Sequence, residues 1–206
     1  MLTNTESDYH RSLSKSIIKM MDALYKELKK GGQEAFKKKI LFKINYAIAI
    51  IMSNSDVETC IDMLRTQKTI IEEGNHEMSY LLFNAVDGSH IREQIQRDAT
   101  PEEFNKFKEE ASIVVKIVMT KLEKFIEDHR EKIEKATSLK TLVLLLKPLE
   151  ECMNMAGNSD KWRDRIILVL KAMSPIFPIA KSPKVNVPNS LLESFISLTL
   201  LADKEY

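Results

Sequence analysis

The sequence predicts an all-α fold: a single-domain helical bundle of about eight or nine helices around a central apolar helix, with a Pro-rich strap and a C-terminal helix. Three observations lead there. Only 5 Gly and 6 Pro occur in 206 residues, too few to punctuate the turns of an all-β chain. Strand-like runs joined by hairpin chemistry are missing. Apolar residues recur at three- and four-residue spacing over most of the length.

The expected centre is Ile40 to Met52, in which Lys43 is the only charge and Asn45 the only other strongly polar side chain. A helix apolar on nearly every side has to be surrounded, and this one is too short to cross a bilayer, which takes about 20 residues. Its strict alternation from Ile40 through Phe42, Ile44, Tyr46, Ile48 and Ile50 to Met52 also fits a strand. Length argues for the helix, because strands usually run to about 5 or 6 residues.

A first helix is expected from Ser7 to Lys30, with Leu13, Ile17, Met20, Met21, Leu24 and Leu28 on one face and Gly31-Gly32 as its stop. The second starts near Gln33 and carries the central run. Ser55 with Glu58 reads as a capping box opening a third helix, which Gly74 ends. A fourth spans Asn75 to Val86, before an Asp87-Gly88 turn and a short helix over Ser89 to Arg97. Thr100-Pro101-Glu102-Glu103 combines a cap, a proline at the first helical position and the Glu of a capping box. The helix it opens has a stripe from Phe104 and Phe107 to His129 and Ile133, broken only by Lys108. At 1.5 Å per residue it would reach about 50 Å, more than a compact domain needs, so some of it is expected to project or to meet another chain.

Ser138 is expected to cap Leu139 to Met155, with Pro148 kinking or splitting that helix and Gly157 ending it. Ser159 caps Asp160 to Met173. Residues 1–173 form the expected core. Residues 174–206 form an arm, in which Pro175, Pro178, Pro183 and Pro188 enforce an extended strap before a helix capped by Ser190 and Glu193.

Net charge is +1, unevenly spread: residues 1–50 carry ten Lys/Arg against five Asp/Glu, and residues 54–110 carry six against thirteen. The N-terminus lacks a basic region followed by an apolar core, so no secretory signal is expected. Cys60 and Cys152 stand apart from any Cys-x-x-Cys or Cys/His spacing and are read as reduced and structural. The expected location is intracellular, in the cytoplasm, with the nucleus as the alternative.

Chemistry-bearing patterns are sparse. Glu73 and His76 give one Glu-x-x-His spacing, but a di-iron site needs two such pairs, so no metal and no cofactor are expected. His129 lies on the apolar stripe and is read as an imidazole satisfied by a backbone carbonyl, with a catalytic base as the alternative. Lys26, Lys29, Lys30, Lys37, Lys38, Lys39 and Lys43 bracket Gly31-Gly32 with aromatics between them. Lysines neutralise phosphates, which makes this cluster the candidate for nucleic acid or another anion; it also resembles a nuclear import signal.

The functional expectation is a non-enzymatic protein-protein interaction or scaffolding protein. It would self-associate through residues 104–133 or 174–206. An RNA-binding protein using the Lys-rich segment 26–43 is the first alternative, and an enzyme with a pocket near His129 the second.

Overall fold

The computed structural model describes residues 55–73, 76–84, 86–130, 136–157, 160–174 and 189–203, and single helical positions between 12 and 52. Within them are seven α-helices and no strand: α1 (Val57–Glu72), α2 (His76–Phe83), α3 (Gly88–Asp98), α4 (Pro101–Asp128), α5 (Ala136–Ala156), α6 (Arg163–Met173) and α7 (Asn189–Asp203). A 3-10 turn, Asp160–Trp162, leads into α6. The chain is an all-α single-domain bundle.

Local chemistry sets the starts. At α1 the cap is Asp56, whose carboxylate accepts the Thr59 N–H at 2.8 Å, and not the expected Ser55, which is buried. A carboxylate also complements the positive end of the helix dipole, which a hydroxyl does not. Asp87 has the same role at the start of α3, accepting the His90 N–H at 3.0 Å, so the expected Asp87-Gly88 turn already belongs to that helix. The capping box of α4 forms as its sequence requires. Thr100 Oγ1 accepts the Glu103 N–H at 3.3 Å, while Glu103 Oε2 accepts the Thr100 N–H at 2.9 Å.

α4 has 28 residues and ends at Asp128, shorter than the expected run to Ile133. Its face is spent inside the chain. Phe107, Ala111, Val115, Val118, Met119, Leu122 and Ile126 are buried, and α4 packs against α1 and α5. Each such apolar side chain contributes roughly 1.5–3 kcal/mol on burial.

α5 packs against α2, α3, α4 and α7. Pro148 lies inside it without dividing it. A mid-helix proline costs about 3 kcal/mol or more, but the buried Leu145, Leu146, Leu149 and Cys152 on either side hold the helix across it. Gly157 ends α5 at φ +62°, its N–H donating to the Met153 carbonyl at 2.9 Å. This is the left-handed closing position that favours glycine.

α7 packs on α5 and α6 of the same chain, through the buried Leu191, Leu198 and Ala202. The strap before it, residues 175–188, lies outside the described residues. Most of the first two expected helices does too. At the positions described, the Ile40–Met52 run is helical: Ile40 and Ile51 lie against the core and Met52 is within it. Tyr46 and Ile50, however, are 62% and 48% exposed, so an all-round shell is absent at these two side chains. From the first expected helix, Ile17 packs on the core while Leu13 and Met20 are exposed.

Candidate functional site

α4 leaves one flank uncommitted. Asn105, Lys108, Glu109, Ser112, Ile113 and Lys116 recur every three or four residues beside the buried stripe and line a cleft of about 900 Å³. Lys108 and Lys116 stand two turns apart, about 12 Å along the axis, with Ser112 between them. The break that Lys108 makes in the apolar stripe thus has a structural counterpart: its Nζ lies over the Phe104 ring, 4.6 Å from the centroid.

The opposite wall depends on two glycines. Gly88 begins α3, and its N–H donates to Glu151 Oε2 at 2.7 Å. A Cβ there would meet the Glu151 backbone oxygen at 2.3 Å, so only glycine lets α3 approach α5 this closely. One turn on, Arg92 lays its guanidinium where a side chain at residue 157 would be; a Cβ on Gly157 would lie 2.3 Å from Arg92 Cζ. The two glycines therefore bring a cation from α3 to the end of α5.

The 3-10 turn supplies Lys161 and Trp162. Trp162 is only 5% exposed. Lys161 Nζ and Arg165 Cζ stand 5.3 and 5.5 Å from its ring centroid. Arg165 is committed elsewhere, since its Nε and Nη2 grip Glu123 at 2.7 and 2.6 Å.

Among the described residues four cations therefore border the cleft, Arg92, Lys108, Lys116 and Lys161, against the single carboxylate of Glu109. Among the described residues none of the four is held in an ion pair. Two buried donors on its lining, Arg92 Nε and Trp162 Nε1, have no hydrogen-bond partner. An unpartnered buried donor costs about 1–3 kcal/mol. Positive charge predominates among the ionisable side chains of the described lining.

Below this wall, Glu151 is buried within the bundle. Burial pushes its carboxyl above the usual range, against the pull of the Lys147 ammonium and the Gly88 N–H. Lys147 also lies 3.8 Å from Glu150.

Of the lysines singled out in the sequence, one is among the described residues. Lys43 is helical and exposed, and Lys26, Lys29, Lys30, Lys37, Lys38 and Lys39 lie outside the described residues. His129 caps α4, its Nδ1–H donating to the Phe125 carbonyl at 2.9 Å and its ring stacked on Phe125 at 4.2 Å. It stands 13 residues beyond Lys116, about 20 Å along the helix. Burial, then the charge of Lys121, lowers the His76 pKa, and among the described residues no group of three or more His, Cys, Asp or Glu could hold a metal ion. Cys60 and Cys152 are buried free thiols, and burial followed by the Asp56 charge pushes Cys60 up to about 12. None of the described helices is long and apolar enough to cross a membrane.

Sequence reasoning missed the cleft because its cations come from separate elements and are masked by adjacent acids. Glu93 follows Arg92, Glu109 follows Lys108 and Asp160 precedes Lys161. The one usable signal was Lys108, Ser112 and Lys116 at four-residue spacing. Comparison of the chain with protein-family models, curated proteins and solved structures finds no match.

Proposed function

We propose that this chain is a binding protein that takes an anionic partner into the cleft between α3, α4 and the α5–α6 turn. One observation carries this reading: four cations without counter-ions among the described residues converge on one cleft. Convergent charge favours an acceptor-rich ligand and gives little to a neutral one.

Trp162 is the chain's single tryptophan, so its fluorescence reports on the cleft alone. Titration with heparin, a generic polyanion, should change that emission saturably, with an affinity that falls as salt rises. The double substitution Lys108→Glu, Lys116→Glu should abolish the response. Lys124→Glu with Lys171→Glu, the same charge change on exposed positions away from the cleft, should largely preserve it. An unchanged response in the first variant refutes the reading.

A second reading, self-association or docking of a partner protein, draws on different residues. Leu168 on α6 and Ile196 and Leu200 on α7 are 63%, 59% and 59% exposed, on the sides of these helices facing away from the core. Sedimentation equilibrium of the full chain, beside Ile196→Ser with Leu200→Ser, tests it. A wild-type monomer at high concentration would remove self-association from this reading.

A further inference from the structure

We infer that the ligand of this cleft is a compact polyphosphate, a small molecule bearing two or more phosphoryl groups. The inference rests on the anion-site reading above and narrows it to one chemistry. At about 900 Å³ the space falls within the range of small-molecule sites, roughly 300–1,000 Å³. Lys108 and Lys116 lie about 12 Å apart along α4, and Arg92 and Lys161 face them from other elements. Charge is thus supplied from several directions, which suits a ligand with acceptor oxygens on every side.

Two other polyanions match less well. A nucleic-acid strand is held by lysines together with aromatic faces on which bases stack. Among the described residues the only aromatic on the lining is Trp162, which is 5% exposed and has Lys161 and Arg165 over its ring. An extended acidic peptide turns alternate side chains away from the cleft, at about 3.3 Å per residue. It would offer only two or three carboxylates across the span and leave cations unmatched. A phosphoryl group instead presents several oxygens at one point. Its oxygens can face Lys108, Lys116, Lys161 and the Arg92 guanidinium together.

Isothermal titration calorimetry on the full chain, with sodium tripolyphosphate, octaglutamate and a 20-nucleotide single-stranded RNA as probes, tests the inference. Tripolyphosphate should bind with a 1:1 stoichiometry and at least tenfold more tightly than octaglutamate. Lys108→Gln with Lys116→Gln should weaken it at least tenfold. Circular dichroism establishes that each variant is folded, and Lys124→Gln with Lys171→Gln should bind as wild type does.

Octaglutamate or RNA binding as tightly as tripolyphosphate overturns the inference while the anion-site reading stands. No binding by any probe, heparin included, removes both. Vesicles of phosphatidylcholine with 5% phosphatidylinositol 4,5-bisphosphate separate the sources. Retention that tripolyphosphate displaces assigns the phosphates to a lipid headgroup; tripolyphosphate binding without retention assigns them to a soluble molecule. Both results support the proposal.

Discussion

Replacing Gly88 by alanine should loosen α3 from α5. The new Cβ would sit 2.3 Å from the Glu151 carbonyl oxygen and 3.1 Å from Asn154 Cβ. Carbon–oxygen contacts settle at about 3.3–3.6 Å, so α3 has to retreat by about 1 Å. The carbonyl belongs to the backbone of α5 and cannot swing aside as a side chain would. Such overpacking costs about 1–3 kcal/mol. The retreat also stretches the 2.7 Å bond from Gly88 N to the buried Glu151 carboxylate, and hydrogen bonds to charged groups contribute about 1.5–3 kcal/mol. Alanine returns up to about 1 kcal/mol of helix propensity. The net expectation for Gly88→Ala is a loss of about 2 kcal/mol, or a Tm lower by roughly 4–8 °C for a chain of this size. Urea unfolding with an unchanged slope would measure it. Arg92 moves with α3, so heparin affinity should fall as well. A variant as stable as wild type would refute the close docking of α3 on α5 and the account of how Arg92 is placed.

Thr100→Ala should cost about 1 kcal/mol through loss of the α4 cap. Its partner Glu103 titrates below the usual carboxylate range because the Thr100 backbone N–H, then its hydroxyl, bond the charged form. The stability it adds is therefore present above about pH 4.3 and disappears as pH falls through its folded pKa; the gap between wild type and Glu103→Ala in urea should narrow at pH 3. Glu151 carries the opposite sign: burial raises its pKa, so its contribution is full at low pH and is lost as pH rises through the folded value. Lys147→Met should accordingly destabilise by about 3 kcal/mol at pH 7, by stranding a buried charge, and by less at pH 4, where Glu151 holds a proton. Both thiols should resist Ellman's reagent in the native chain and react on denaturation, since Cys60 and Cys152 are 0% exposed with raised pKa values; fast native labelling would contradict that burial.

Features that depend on neighbours in sequence were the legible ones. The Thr100 box, the glycine end of α5 and the stripe of α4 each follow from residues within a turn or two of one another. Competition between adjacent candidates was harder to read: at Ser55-Asp56 the carboxylate takes the cap that the hydroxyl could have taken. Pro148 was read as a kink or a split because its local penalty is plain, whereas the packing of Leu145, Leu146 and Leu149 that keeps the helix continuous comes from other helices. The cleft is the limiting case. Arg92, Lys116 and Lys161 each have an ordinary sequence context, and only the approach of α3 to α5 brings Arg92 to Gly157. A cluster contiguous in sequence, such as the lysines at 26–43, draws attention that a cluster assembled in space does not.

The position of α5 bears on how the chain is made. α2 and α3 both rest on α5, yet α5 begins at Ala136, about 50 residues after α2 ends at Phe83. At roughly 5–20 residues per second, a ribosome takes about 3–10 s to cover that gap. Throughout that interval the earlier helices have nowhere to put the surfaces that α5 will cover. The nascent chain therefore completes its interior late, and a synthesis stall before Ala156 leaves a product for chaperones to hold.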